Sequence, residues 1–344
     1  MQQQGLRNAM IPAGAFYYPP PGPPLANPAM PAVRALPYAP AAGYPVAVPM
    51  QAPPAAWYYR PYPAAVQVQA PPPQPQPPPP PRRVPVHAVW ADNLDAARRD
   101  IGYFAAHARC VAVKVHYPGV VVHGAGGQGL GSPTAEKRYA VVKANVDALK
   151  PLQVGLAVLT DDGRAAAWEF NLSDFDPAAD AHAAGSLAYL QGLGLSCAEH
   201  RRRGIPMEEL TRVLRRCGLF SNRPGVSWVT HTGAYHLAYL IKVLGGGGGE
   251  LACDMDGFLG AVRRSLGDDV YDVARMAADC QVVPEAVGLE YLAHRLRLAP
   301  PLSARPLAGA GSVLALEAFI KLGAEAFQGD VARYRGVLQG LQVA

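Results

Sequence analysis

The stretch "CVAVKVHYPGVVV", from Cys110 to Val122, combines a strand-like apolar run with two polar side chains. Its valines, alanine and cysteine are typical of a central β-strand, which is buried on both faces. Lys114 and His116 are two residues apart, so on a strand both side chains point to the same face. A lysine inside such a run is costly unless it is paired or opens onto a cleft.

Two interpretations of Lys114 follow from this stretch alone. In the first, the strand lies at the edge of a sheet and the lysine stem carries the ammonium group out to water. In the second, the face that carries Lys114 and His116 belongs to a functional site. The rest of the chain is needed to choose between them.

The bulk composition narrows the class of protein. The chain has 344 residues, enough for an arm and one large domain, and its net charge is +5. This mild basicity is compatible with nucleic acid or an acidic partner and proves neither. The five cysteines form no C-x-x-C pair, which predicts a reduced, intracellular chain without structural zinc. We find no signal-like or membrane-spanning apolar run and expect no membrane partner.

The composition changes sharply near residue 83. Of the 36 prolines, 25 precede residue 82, and Arg7, Arg34 and Arg60 are the only charged residues in that part. Such a segment cannot bury enough apolar surface to offset its ordering entropy, so we predict that residues 1–83 are disordered or polyproline II. This Pro/Tyr-rich arm is interpreted as a flexible tail, a ligand for proline-reading domains, or a sticky low-complexity segment.

The sequence pattern of residues 84–344 is typical of a globular domain. "LQVGLAVLTDDGRAAAWEFNL" predicts two strands joined by the turn at Asp161, Asp162 and Gly163. "MEELTRVLRRCG" predicts a helix that ends at Gly218, and Asp92 is the predicted N-cap of the first helix. Strands that then alternate with helices predict an α/β domain with a central mixed sheet.

The segment "GAGGQG", from Gly124 to Gly129, matches the spacing of dinucleotide-binding loops, and Asp147 lies about twenty residues further on. In that fold the acid ends a second strand, whereas Asp147 precedes a loop that enters a strand. We therefore interpret "GAGGQG" as a glycine-rich loop and expect no dinucleotide cofactor.

The folded region carries a dense series of family motifs. They are "VWADNLDAA" at Val89, "YPGVVV" at Tyr117, "KANVDALKPLQVGLAV" at Lys143, "WEFNLSDFD" at Trp168, "YLIKVL" at Tyr239 and "YRGVLQGL" at Tyr334. On these motifs the region resembles the Pop-two/Caf-one family (CCR-four-associated factor one), the deadenylase subunit of the CCR-four–NOT complex. The resemblance implies a ribonuclease-H-like exonuclease fold of the DEDD type, with a mixed sheet flanked by helices.

The same resemblance locates the family's metal ligands and general base. Where members have "DTEFPG", this chain has "KVHYPG", so the first two acids fall on Lys114 and His116. The third acid, in "GAYDFGYL", falls on His236 of "GAYHLAYL". The fourth, in "AGSDSLLT", falls on Gly311 of "AGAGSVLAL", and the general-base histidine five residues earlier falls on Pro306. All five catalytic positions differ.

These substitutions predict loss of the family chemistry. Family members hold two divalent metals, magnesium or manganese, with four carboxylates. A lysine repels a metal, histidine nitrogens suit zinc or copper better than magnesium, and glycine and proline offer no ligand. We therefore expect no cofactor, no functional catalytic residue and no enzyme activity. Lys114, His116 and His236 are then either a repaired core, a phosphate-binding cleft, or a histidine metal site, which the neighbouring ammonium opposes.

The resemblance therefore leaves three hypotheses for function. The first is a non-catalytic scaffold or regulatory subunit that docks on the NOT scaffold and the CCR-four nuclease. The second is an active or residual deadenylase that releases AMP from poly(A) tails of mRNA. The third is a non-cleaving RNA-binding module. By resemblance we expect the protein in the cytoplasm and the nucleus.

Overall fold

A computed structural model describes residues 83–124, 133–280 and 288–343. The predicted Pro/Tyr-rich arm lies outside the described residues, apart from Arg83, and so does most of the glycine-rich loop that begins at Gly124. No helix in the described part of the chain is long and apolar enough to cross a membrane.

In the part of the chain that the structure describes, six strands form one mixed sheet, which confirms the predicted α/β class. The strands are β1 (Val86–Val89), β2 (Ala108–His116), β3 (Gln153–Thr160), β4 (Ala165–Asn171), β5 (Ser227–Thr230) and β6 (Val270–Asp272). Their order is β1-β4-β3-β2-β5-β6. The β2–β3 and β3–β4 pairs are antiparallel, and the β1–β4, β2–β5 and β5–β6 pairs are parallel. Since β2 has a partner on each side, the interpretation of Lys114 as an edge-strand residue is wrong.

The helices cover both faces of this sheet. They are α1 (Leu94–Ala106), α2 (Ala135–Ala148), α3 (Ala184–Gly192), α4 (Cys197–Arg203), α5 (Met207–Arg216), α6 (Gly233–Leu244), α7 (Met255–Leu266), α8 (Val273–Asp279), α9 (Leu289–Arg295) and α10 (Ala308–Lys321). Val111, Val113 and Val115 of β2 pack into one core with α1, α2, α5, α6 and α7. Cys110 and Ala112 of β2 pack into a second core with α8, α9 and α10.

Most local predictions were confirmed. The Asp161–Gly163 turn joins β3 to β4, and Gly163 has φ +86°, a left-handed conformation that favours glycine. Gly218 follows the end of α5 with φ +82°. Asp92 as the first N-cap was wrong: residues 91–93 form a 3-10 turn and α1 begins after Asn93. The Asn93 side chain accepts from the Trp90 amide at 2.8 Å, and this turn moves the start of α1.

Candidate functional site

One row of side chains crosses three strands on the face that α10 covers. Lys114 of β2 lies opposite Gly155 of β3, and Gly155 lies opposite Glu169 of β4. Directly paired residues in an antiparallel sheet point to the same face, so Lys114 and Glu169 flank Gly155 on that face. A Cβ at Gly155 would overlap the Ala308 carbonyl group, so the glycine allows the first turn of α10 to rest on the sheet.

The stem of Lys114 packs over Gly311 of α10. A Cβ added to Gly311 would clash with Lys114 Cδ and lie 2.9 Å from Cε and 3.5 Å from Cγ. Gly311 itself is buried in the first turns of α10. The lysine stem therefore fills the space that a side chain at position 311 would need.

His116 begins a chain of hydrogen bonds across the next row of the sheet. The Gln153 amide nitrogen donates to Asn171 Oδ1 at 2.7 Å, which turns Gln153 Oε1 toward His116 Nδ1 at 3.2 Å. Asn171 in turn donates to the Val89 carbonyl group at 3.0 Å. Because Gln153 offers an acceptor, His116 must donate from Nδ1, and its Nε2 is the acceptor in the neutral ring.

His236 is brought to the same end of β2 by the β5–α6 connection. β5 pairs only with residues 110–112 of β2, so the Val115 amide lies beyond the end of that ladder. His236 Nδ1 accepts from this amide at 3.2 Å, which places the proton of the neutral ring on Nε2. Asp272 of β6 fixes the start of α6 by accepting from the Thr232 and Gly233 amides at 2.8 and 2.7 Å.

Burial controls the charge state of this cluster. Burial, reinforced by the Lys114 charge and opposed by the Gln153 hydrogen bond, lowers the pKa of His116 to about 3. Burial, together with the charges of Lys114 and neighbouring histidines, also places the pKa of His236 well below its ordinary value. Burial lowers the pKa of Lys114, against the opposing charge of Glu290 on α9. Both histidines are therefore neutral at physiological pH.

Glu169 was missed by the sequence analysis, although it lies within the quoted motif "WEFNLSDFD". Its Oε2 accepts from the Gly309 amide at 2.8 Å, in the first turn of α10. Leu307, at the N-cap position of α10, makes no side-chain capping bond, so a carboxylate from the sheet satisfies that amide. Burial raises the pKa of Glu169, while the Gly309 hydrogen bond and Arg305 oppose the rise. What marks Glu169 is its position directly opposite Gly155, and that position is known only once the pairing of β3 and β4 is known.

The structure brings four of the five predicted positions together. Lys114, His116 and His236 meet at the end of β2, and Gly311 lies under the Lys114 stem. Pro306 lies apart, exposed in the bend before α10. The neighbouring Arg305 donates to the Gly194 carbonyl group at 2.9 Å. Because a proline side chain has no ionisable group, position 306 supplies nothing that could take a proton.

The residues at these positions do not fit a pair of magnesium or manganese ions. Such ions take oxygen ligands, and none of the four positions carries a side-chain oxygen. The Nδ1 atoms of His116 and His236 are engaged, and Glu169 Oε2 accepts from Gly309. Among the described residues, no group of three or more histidine, cysteine or acidic side chains could hold a metal ion.

The sheet order and the helices on its two faces define an exonuclease fold. Pop2p of S. pombe, in a Mg²⁺- and Mn²⁺-bound form, superposes with a TM-score of 0.65 at 26% identity, covering 75% of this chain and 100% of that one. Yeast CAF1, co-crystallised with the NOT1 MIF4G domain, superposes with a TM-score of 0.59 at 26% identity, covering 76% of this chain and 98% of that one. The fold predicted from the resemblance is confirmed.

Curated relatives define the family. CCR4-associated factor 1 homologue 5 of Arabidopsis thaliana is 31% identical over 238 residues, 68% of this chain and 81% of the relative. Homologue 8 of the same plant is 36% identical over 170 residues, 48% of this chain and 67% of the relative. No family model matches the chain. The chain belongs to the CCR4-associated factor 1 (Caf-one) family of deadenylases.

Proposed function

We propose that this protein is a non-catalytic member of the deadenylase family, acting as a scaffold or regulatory subunit of the CCR4–NOT complex. The observation that carries the proposal is the packing of Lys114 over Gly311. Two positions that hold acids in family members are here a lysine stem and the glycine it covers. Since metal ions supply most of the transition-state stabilisation in such sites, their loss removes the chemistry.

Partner binding is the function that survives the loss of the metal ligands. A related CAF1 was crystallised with the MIF4G domain of NOT1. The fold of the present protein covers 98% of that CAF1 chain at a TM-score of 0.59. A protein that keeps this fold without the chemistry would occupy the place of a catalytic subunit on NOT1, and with it the contact to the CCR4 nuclease. We infer that it works in the cytoplasm and the nucleus, where imaging of the tagged full-length chain would locate it.

The alternative of a non-cleaving RNA-binding module has less support. A phosphate-binding cleft needs cationic or donor groups that face the ligand. His116 and His236 are neutral, and their Nδ1 atoms already have partners within the protein. Lys114 is the remaining candidate cation among the four clustered positions, and burial lowers the pKa of its ammonium group, which disfavours the charged form.

A poly(A) assay tests the proposal. The purified full-length chain is incubated with a poly(A) substrate in Mg²⁺ or Mn²⁺, beside a family member that carries the four acids, and with the Lys114→Ala variant. We expect shortening by the acid-bearing relative only. Metal-dependent trimming by the wild type that disappears in Lys114→Ala would instead assign Lys114 to a new catalytic arrangement and overturn the proposal. Pull-down on an immobilised NOT1 MIF4G domain tests the scaffold half, and failure to bind would contradict it.

A further inference from the structure

The N-terminal turns of α10 contact the sheet at three points. The Ala308 carbonyl group lies over Gly155, the Gly309 amide donates to Glu169, and Gly311 lies under Lys114. Gly155, Glu169 and Lys114 are the three members of one cross-strand row. The sheet therefore holds the start of α10 at both ends of a single row of side chains.

The contact with Glu169 supplies a hydrogen-bond acceptor that the first turn of α10 lacks on its own. The first turn of a helix has amide groups without intrahelical partners, and a carboxylate there also interacts favourably with the helix dipole. Leu307 cannot supply that acceptor, whereas Glu169 does so at 2.8 Å. The glycines at 309 and 311 allow this close approach, because a Cβ at 309 would lie 2.9 Å from Glu169 Cβ.

In a site with acids at positions 114 and 311, a divalent ion would be the natural bridge between β2 and α10, because carboxylates brought together repel one another. In this chain the same two positions touch directly, with the lysine stem against the glycine. The bridge between sheet and helix therefore consists of side chains alone.

We infer that Glu169 and Lys114 form a metal-independent clamp that holds α10 on the sheet, with Glu169 as the positioning residue for its first turn. Glu169 acts through the Gly309 amide, and Lys114 acts through the packing of its stem rather than through its charge. The clamp concerns folding of the domain and does not depend on whether the chain cleaves RNA.

Amide hydrogen exchange on the full-length chain, read by mass spectrometry, tests the Glu169 half. In Glu169→Ala we expect exchange in the first turns of α10 to accelerate about 10-fold, the size of a lost helix cap. Glu169→Gln, which keeps an acceptor oxygen, should stay near the wild-type rate. As a matched control, Asp254→Ala removes the cap that accepts from the Gly257 amide at 2.7 Å in α7, and should affect α7 but not α10.

Two further measurements complete the test. Lys114→Met keeps an unbranched stem over Gly311 and should melt within about 2 °C of the wild type, whereas Lys114→Ala leaves a void and should melt several degrees lower. Millimolar Mn²⁺ should leave wild-type exchange in α10 the same as in EDTA. Unchanged α10 exchange in Glu169→Ala, equal melting of the Met and Ala variants, or protection of α10 by Mn²⁺ would overturn the clamp. The poly(A) assay reports separately on catalysis.

Discussion

Lys114 and Gly311 are complementary: the lysine on β2 fills the space that the glycine on α10 leaves open. Neither residue is favourable alone at its position. A lysine in the interior strand of a sheet needs room for its stem, and a glycine early in a helix lowers helix propensity. Together they bring β2 and α10 into direct contact at this point.

This complementarity predicts energetic coupling between the two positions. Gly311→Asp alone should destabilise the protein by about 1–3 kcal/mol, because the new side chain collides with the Lys114 stem. With Lys114→Ala in the background, the cost of Gly311→Asp should fall by about 1 kcal/mol or more. Urea denaturation of the four proteins of this cycle measures the coupling. Additive effects would show that the stem moves aside freely.

A combined reversion should restore metal binding before turnover. The set is Lys114→Asp, His116→Glu, His236→Asp, Gly311→Asp and Pro306→His, which recreates the acids and the base that the family resemblance implies. Catalytic ligands must lie within about 0.5 Å of working geometry, so the surrounding shell limits turnover. A ligand at 100 times its Kd stabilises the folded state by about 2.7 kcal/mol, so Mn²⁺ should raise the melting temperature of this variant. An equal rise in the wild type would mean that metal binding had not been lost.

His116 should make the protein sensitive to acid. Its pKa is about 3 in the folded protein and near 6.5 in the unfolded chain, so between these values the unfolded state binds the extra proton. Stability is therefore full above pH 6.5 and falls as the pH drops toward 3, by about 2 kcal/mol at pH 5 from this residue alone. Denaturant melts at pH 7 and pH 5 measure the loss. His116→Gln should lose less over this interval, and an equal loss would assign the effect elsewhere.

Lys242 of α6 is a buried lysine with a different role. Its ammonium group donates to the carbonyl groups of Val146, Asp147 and Leu149 at 2.6, 3.2 and 3.2 Å, at the end of α2. Lys242→Met would leave these carbonyl groups without their donor, and we expect a loss of about 3 kcal/mol. Lys321→Met, which removes a more exposed lysine paired with Glu325, should cost less than about 1 kcal/mol in the same urea titration.

The boundary of the folded domain remains a prediction of the sequence. Residues 84–344 are expected to form one domain and residues 1–83 an unstructured arm, because the composition changes and the family motifs end there. Limited proteolysis should remove the arm and leave a stable core that begins near residue 84. Mass spectrometry of the core identifies its first residue, and a protease-resistant arm would show the boundary to be misplaced.

Much of the secondary structure could be predicted from the sequence, because these elements depend on local sequence patterns. The two apolar runs of β3 and β4 and the Asp161–Gly163 turn between them specify a hairpin in a short stretch of chain. Gly218 ends α5 for an equally local reason, its left-handed backbone. The start of α1 was displaced by one residue, because Asn93 rather than Asp92 makes the side-chain bond in that turn.

From the sequence by itself, the flanking motifs predict that Lys114, His116, His236 and Gly311 stand where the family has its acids, and this alignment remains a prediction. Only the tertiary structure decided what the replacements do. That Lys114 covers Gly311, and that Glu169 caps α10, depends on the register of β2, β3 and β4 and on how closely α10 approaches Gly155. These contacts join residues far apart in the chain, and no local propensity specifies them, because they form only once the helix packs on the assembled sheet.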